Sequence, residues 1–244
     1  MATFVLIHGA YRGGWSWQRV RRLLQVAGHE VFAPSLTGAG ERAHLDQGNI
    51  KLVTWVDDVV KLLEYEDLRD VILVGHSQGG VVITAASEHA AERLAHLVYV
   101  DAPVPEDGQT AIDLLPAAVR AQFKERPPEP VSAPRPLSPG NGLSEADVQW
   151  INARLTPVPM APSLEPIRLQ NPAALALPRS YFFCRDTPAF YPSAFTRQRF
   201  DETGVAYQVL EAGHDVILSH PQLVEEVLLK VASLKKTDGI SYRR

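Results

Sequence analysis

Gly75-His76-Ser77-Gln78-Gly79 joins the apolar run Val71-Ile72-Leu73-Val74 to Gly80-Val81-Val82-Ile83-Thr84-Ala85-Ala86. A serine framed by glycines therefore stands where a buried strand turns into a helix, which is the nucleophile-elbow pattern. The sharp turn forces strained backbone angles on the serine, and the flanking glycines allow neighbouring chain to approach without a Cβ clash. A serine hydroxyl attacks poorly unless a base takes its proton, and the base needs a carboxylate to fix its tautomer and stabilise its charge. Of the eight histidines, His214 in Glu211-Ala212-Gly213-His214-Asp215 is the best placed, between the last expected strand and the C-terminal helix. For the acid, Asp186 follows the strand Tyr181-Phe182-Phe183-Cys184 after one residue, at a C-terminal strand end where α/β sheets gather their sites. Asp101, directly after Leu97-Val98-Tyr99-Val100, is the rival acid. Asp215 is a third carboxylate, but adjacent loop residues rarely aim at one another, so it reads as solvated or capping.

Acyl transfer also needs donors for an oxyanion, and two backbone N–H groups suffice. Gln78 supplies one at the start of the elbow helix, and Ala10, in the His8-Gly9-Ala10 turn, supplies the other. His8 reads as the residue that orients that turn. His76 reads as pocket lining or elbow support rather than base. Phe123 and Trp150 are candidates to line an acyl or alcohol pocket. Trp15, Trp17 and Trp55 fall on helical faces and read as core, and Cys184 as a buried small apolar group. The sequence holds no HExxH, no cysteine pair and no GxGxxG, so no metal and no cofactor is expected.

These residues need a scaffold that brings strand ends together. Nearly continuous apolar runs of strand length recur at Phe4 to Ile7, Glu30 to Ala33, Val71 to Val74, Leu97 to Val100, Tyr181 to Cys184 and Ala206 to Leu210. Segments of helical period lie between and after them, at Trp15 to Val26, Leu52 to Glu64, Gly79 to Ala90, Ser193 to Asp201 and Gln222 to Leu234. The alternation predicts a mostly parallel sheet of about six strands flanked by helices. It fails between Ala102 and Pro178, where no convincing strand occurs, so residues 1–102 and 179–244 are expected to form the core and 103–178 an inserted cap. Within the cap the sequence predicts a helix from Ala111 to Lys124 and a helix from Ser144 to Leu155 opened by a Ser144/Asp147 capping box. Prolines at 127, 128, 130, 134, 136 and 139 favour extended chain between them.

With 244 residues, 45% hydrophobic content and 21% charged, the chain reads as one globular domain with an insertion. The net charge of -4 gives no electrostatic reason for nucleic acid or an anionic membrane as partner, and a small uncharged molecule is the easier substrate. A single cysteine forms no intramolecular disulfide, and neither a signal-peptide pattern nor a stretch of membrane-span length is evident, so a cytoplasmic enzyme is expected.

Phe4-Val5-Leu6-Ile7-His8-Gly9-Ala10, Gly13-Gly14-Trp15-Ser16-Trp17, Ala27-Gly28-His29, the strand and elbow to Ser77, and Gly213-His214 together resemble the plant methyl esterase and hydroxynitrile lyase branch of the α/β-hydrolases. Pro34-Ser35-Leu36-Thr37-Gly38-Ala39-Gly40-Glu41-Arg42 is similar to a form common in bacterial members. The resemblance implies an α/β-hydrolase fold and one of two chemistries on a shared triad, ester hydrolysis or cyanohydrin cleavage. Lyases of the branch tend to carry threonine where this chain has Gly9, glutamate where it has His76, and lysine where it has Asp215. All three positions therefore imply an esterase, and Asp215 would place negative charge near departing cyanide. The expected function is a serine carboxylesterase for small esters, with Ser77, Asp186 and His214 as triad. A hydroxynitrile lyase is the first alternative, and a non-catalytic receptor on the same scaffold the second.

Overall fold

The computed structural model describes residues 1–46, 48–125 and 131–234. Its first half alternates as the apolar runs require: β1 (Thr3–Ile7), α1 (Gln18–Val26), β2 (Glu30–Phe32), α2 (Leu52–Tyr65), β3 (Val71–His76), α3 (Gly79–Ala90) and β4 (Leu94–Val100). The insertion then carries α4 (Ala117–Glu125), β5 (Val131–Ser132), α5 (Glu145–Asn152), β6 (Val158–Pro159), α6 (Ala161–Leu164) and α7 (Pro172–Ala176). The alternation resumes with β7 (Arg179–Cys184), α8 (Pro192–Thr203), β8 (Gln208–Leu210), α9 (Val216–Ser219) and α10 (Pro221–Leu234). Six strands form one sheet in the order β2-β1-β3-β4-β7-β8, and every pairing in it is parallel.

The continuous apolar runs are explained by burial on both faces. Val5, Ile7, Leu73, Leu97, Tyr99 and Phe183 point into a core shared with α2, α3 and α8, where Trp55, Val59, Ile83 and Phe200 are buried. Their neighbours Phe4, Leu6, Ile72, Val74, Val98, Phe182 and Cys184 point the other way, against Trp17, Val20 and Leu24 near or on α1 and Val224 and Leu228 on α10. Successive strand residues alternate faces, so a strand covered twice must be apolar throughout.

The cap differs from expectation in two respects. β5 and β6 pair antiparallel as a second, two-stranded sheet, too short to leave any periodic pattern in the sequence. The expected helix from Ala111 splits into a 3-10 turn at Ile112–Leu114 and α4, separated by Pro116, whose missing N–H interrupts the ladder. The capping box is present: Ser144 Oγ accepts from the Asp147 N–H, and the Asp147 carboxylate accepts from the Ser144 N–H. Pro127, Pro128 and Pro130 lie outside the described residues, while Pro134, Pro136 and Pro139 fall in irregular chain.

Two features of the core bear on the site. A β-carbon added at Gly79 would lie 2.6 Å from the Ile7 carbonyl oxygen and 2.8 Å from that of His8, so α3 rests directly on the end of β1. His8 and His76 are buried. His8 donates through Nδ1 to the Gly9 carbonyl and accepts the Leu36 N–H at Nε2, while His76 Nε2 donates to the His214 carbonyl. Burial is the main cause that holds both imidazoles at a pKa of about 4, well below the ordinary 6.5.

Gly79→Ala should therefore destabilise the fold by about 2 kcal/mol through a backbone clash that no rotamer relieves, read as a lower urea midpoint with unchanged slope. The two histidines set a pH window. Between pH 6.5 and about 4 the unfolded chain binds protons that the fold refuses, so stability is full above 6.5 and falls as pH drops towards 4, by about 3 kcal/mol for each histidine across the window. Urea titrations at pH 7, 6 and 5 should show this loss, and His76→Gln, which keeps a donor but cannot titrate, should reduce it by about half.

Candidate active site

The four loops that form the site all leave the C-terminal edge of the sheet. After β1 the chain turns through Tyr11, after β3 through Ser77 and after β4 through Asp101, each with φ in the left-handed region, at 63°, 51° and 44°. Non-glycine residues occupy that region at a cost of roughly 1 to 3 kcal/mol, and such residues cluster at functional sites. At the elbow, a β-carbon on Gly75 would lie 2.6 Å from the Gly79 carbonyl oxygen, so strand and helix touch backbone to backbone around Ser77 as the glycine framing predicts.

Ser77 Oγ lies 3.0 Å from His214 Nε2, and His214 Nδ1 lies 2.5 Å from Asp101 Oδ2. With the Asp101 carboxylate as acceptor, Nδ1 carries the proton and Nε2 is the free base that faces the serine. Burial by itself would raise the Asp101 pKa. Hydrogen bonds from His214, from the Thr187 hydroxyl at 2.6 Å and from the Cys184 N–H at 3.1 Å outweigh it and hold the carboxyl below its ordinary range. Asp101 is thus an ionised carboxylate at 1% exposure, with every donor directed at it.

The expectation that Asp186 orients His214 is corrected by this geometry. Asp186 is exposed, and its own N–H donates to the Ala212 carbonyl. The physical reason lies in sheet order. β4 is the immediate neighbour of β3, His76 is in register with Val100, and Asp101 is therefore carried to the side of Ser77. The segment after β7 approaches one strand further away, and supplies Cys184 and Thr187 as donors to Asp101 instead of an acid of its own.

A cavity of about 240 Å³ opens above Ser77, lined among others by Ala10, Gln78, Tyr11, Val158, Met160, Ser163 and Tyr191. Among the described residues, no charged side chain lines it. Ala10 and Gln78 both line it, and their N–H groups have no protein acceptor among the described residues. His8, hydrogen-bonded to Gly9, fixes the turn that presents Ala10. The cap is tied to both turns. The Tyr11 hydroxyl and Ser132 Oγ are 2.9 Å apart, the Thr156 N–H donates to the Tyr11 carbonyl, and Gln78 Nε2 donates to Ser163 Oγ at 2.7 Å.

Two of the three pocket candidates lie away from the cavity. His76 does not line the cavity; it supports the His214 loop from below, its ring 4.9 Å from the His214 ring. Trp150 packs edge-on against Trp15 and under Arg154, away from the cavity, because α5 turns that face towards α1 and its neighbours. The Phe123 side chain lies outside the described residues. Tyr191, absent from the sequence reading, packs its ring 4.4 Å from that of His214. It precedes Pro192 at the start of α8, where no periodic pattern marks a pocket residue. Asp215 is not solvated either: Arg12 Nη2 donates to its Oδ1 at 2.6 Å. Gly9 leaves no room for a larger residue, since a β-carbon there would lie 2.7 Å from Ser77 Cβ.

Comparison with known proteins agrees with this architecture. A carbendazim hydrolyzing esterase from Nocardioides sp. (strain SG-4G) is 36% identical over 250 residues, covering 93% of this chain and 98% of that one. Salicylic acid-binding protein 2 of Nicotiana tabacum is 27% identical, covering 94% of this chain and 96% of that one. Among solved structures, an extracellular α/β-hydrolase from a Paenibacillus species matches with a TM-score of 0.80 and 28% identity, covering 94% of this chain and 98% of that one. A methylesterase from Arabidopsis matches with a TM-score of 0.78 and 25% identity, covering 96% of this chain and 100% of that one. The model of the alpha/beta hydrolase family matches residues 4–227, a span that takes in both the elbow and the histidine loop, and the chain belongs to that family.

Proposed function

We propose that this chain is a carboxylic ester hydrolase that works through an acyl-enzyme on Ser77. The observation that carries the reading is the unbroken line of hydrogen bonds Ser77–His214–Asp101, ending at an uncharged cavity. His214 Nε2 takes the hydroxyl proton as Ser77 Oγ attacks the ester carbonyl, and Asp101 holds the Nδ1–H tautomer and stabilises the imidazolium that forms. In this reading the N–H groups of Ala10 and Gln78, two residues that line the cavity with Ser77, receive the carbonyl oxygen as it becomes an oxyanion, a charge that backbone donors stabilise without reorganising. Collapse of the tetrahedral intermediate expels the alcohol, which receives the proton from His214. Water, deprotonated by the same nitrogen, then attacks the acyl-serine and releases the acid. The lack of charge in the cavity suits a neutral ester. The names of the relatives, an esterase and a methylesterase among them, support the same class.

Cyanohydrin cleavage gains no support from the site. Threonine at position 9 would collide with Ser77 on this backbone, and the residue after the base is a carboxylate paired with Arg12 rather than a lysine. A silent receptor has no use for an ionised, buried Asp101 aligned on a histidine and a serine.

On p-nitrophenyl acetate, Ser77→Ala should lower kcat by about 10⁴-fold or more, and a loss under about a hundredfold would end the serine mechanism. Asp101→Asn should cost about 10³ to 10⁴ in kcat by presenting the wrong tautomer, whereas Asp186→Asn should stay within about twofold of the parent. The reverse ranking of the two aspartates would return the acid role to Asp186.

A further inference from the structure

We propose that the buried ion pair between Arg12 and Asp215 is a positioning device, which locks the oxyanion turn to the histidine loop and keeps the charge beside His214 balanced. The inference rests on the ester hydrolase reading above and adds two residues to it.

The argument begins with place. Arg12 lies two residues beyond Ala10, on the far side of the left-handed turn at Tyr11. Asp215 directly follows His214 and opens α9, its carbonyl accepting the N–H groups of Leu218 and Ser219. The pair spans 203 residues of chain and joins a donor of the oxyanion site to the base. Among the described residues no other hydrogen bond or ion pair connects residues 8–13 with 213–216.

As a plain stabiliser the pair would be a poor choice. Its side chains are 9% and 16% exposed, so both charges have largely left water, and a buried pair of this kind is commonly matched or bettered by apolar residues of similar size. Its use must lie in where it holds the backbone and in its charge. Burial would raise the Asp215 pKa, but Arg12 and then His214 outweigh it and keep the carboxylate ionised. The groups around the imidazole are Asp101 at the end of β4, His76 at the end of β3, Ser77 at the elbow, Tyr191 before α8, and the Arg12–Asp215 pair. With the pair intact, Asp101 is the only uncompensated charge among them. Loss of either partner would leave a second.

The opposite signs of the two single variants make the test. Arg12→Met leaves the Asp215 anion near the imidazolium, so the acid limb of kcat/KM should move to higher pH by about half a unit or more. Asp215→Asn leaves the Arg12 cation, so the limb should move to lower pH by a similar amount. The double variant Arg12→Met/Asp215→Asn holds no unpaired charge. It should melt within a few degrees of the parent and return the limb to the parent position, yet lose about tenfold or more in kcat with KM within about threefold, because the two loops are no longer locked. If the single variants do not fold, the double variant decides. The proposal is overturned if the double variant keeps the parent kcat, if both singles move the limb the same way, or if the double variant fails to fold, which would make the pair a structural staple alone. Ser77→Ala in the same assay isolates the underlying reading: activity that survives it would refute the hydrolase mechanism whatever the pair does.

Discussion

A buried negative charge governs this structure. Asp101 is almost wholly removed from water, and placing a lone carboxylate there would cost several kcal/mol. The chain meets that cost with three donors drawn from three places: the Cys184 N–H at the end of β7, the Thr187 hydroxyl just beyond it, and the imidazole of His214. Each donor fixes something further. Cys184 holds the end of the next strand, Thr187 holds the turn that follows it, and His214 is left with one orientation, in which its other nitrogen meets Ser77. The buried thiol of Cys184, its pKa raised by burial and by Asp101 nearby, stays protonated and adds no charge to the arrangement.

The backbone around these groups is strained in a regular way. Tyr11, Ser77 and Asp101 each follow a strand, and the three strands, β1, β3 and β4, are consecutive neighbours in the sheet. A left-handed residue turns the chain sharply enough that the side chain stands over the sheet edge instead of continuing along the strand. Such conformations persist only where the surroundings over-determine them. Here the surroundings are the contact of α3 with the β1 carbonyls at Gly79 and the twofold burial of every central strand.

Much of this was legible in the sequence because it depends on local pattern. Six apolar runs and the segments between them mark the sheet and its helices to within a few residues, since a strand covered on both faces has no polar position to blur its limits. Ser77, His214, Ala10 and Gln78 stand out by motif; Ser77, Ala10 and Gln78 line one cavity, and His214 meets Ser77. The carboxylate that meets His214 was not legible. Asp101 and Asp186 both follow strands, and both satisfy the chain order of serine, acid and histidine, so order alone cannot separate them. What separates them is which strand pairs with β3, a fact of sheet topology that lies between distant segments. The same limit applies to Tyr191, to the pairing of Arg12 with Asp215 and to the two-residue strands of the cap, each of which depends on a partner far away in the chain.

The ties from the cap to Tyr11 and Gln78 carry a consequence for how such a protein can change. The residues that would select a substrate are bonded to the very turns that would stabilise its oxyanion. Recognition and rate are therefore not separate modules. A cap without counterparts of Ser132 and Ser163 would leave the Tyr11 and Gln78 side chains unpartnered and loosen the turns that carry them. New specificity in this scaffold is reached more readily by small changes on the cavity wall, at positions such as Val158 or Met160, than by exchange of the whole insertion.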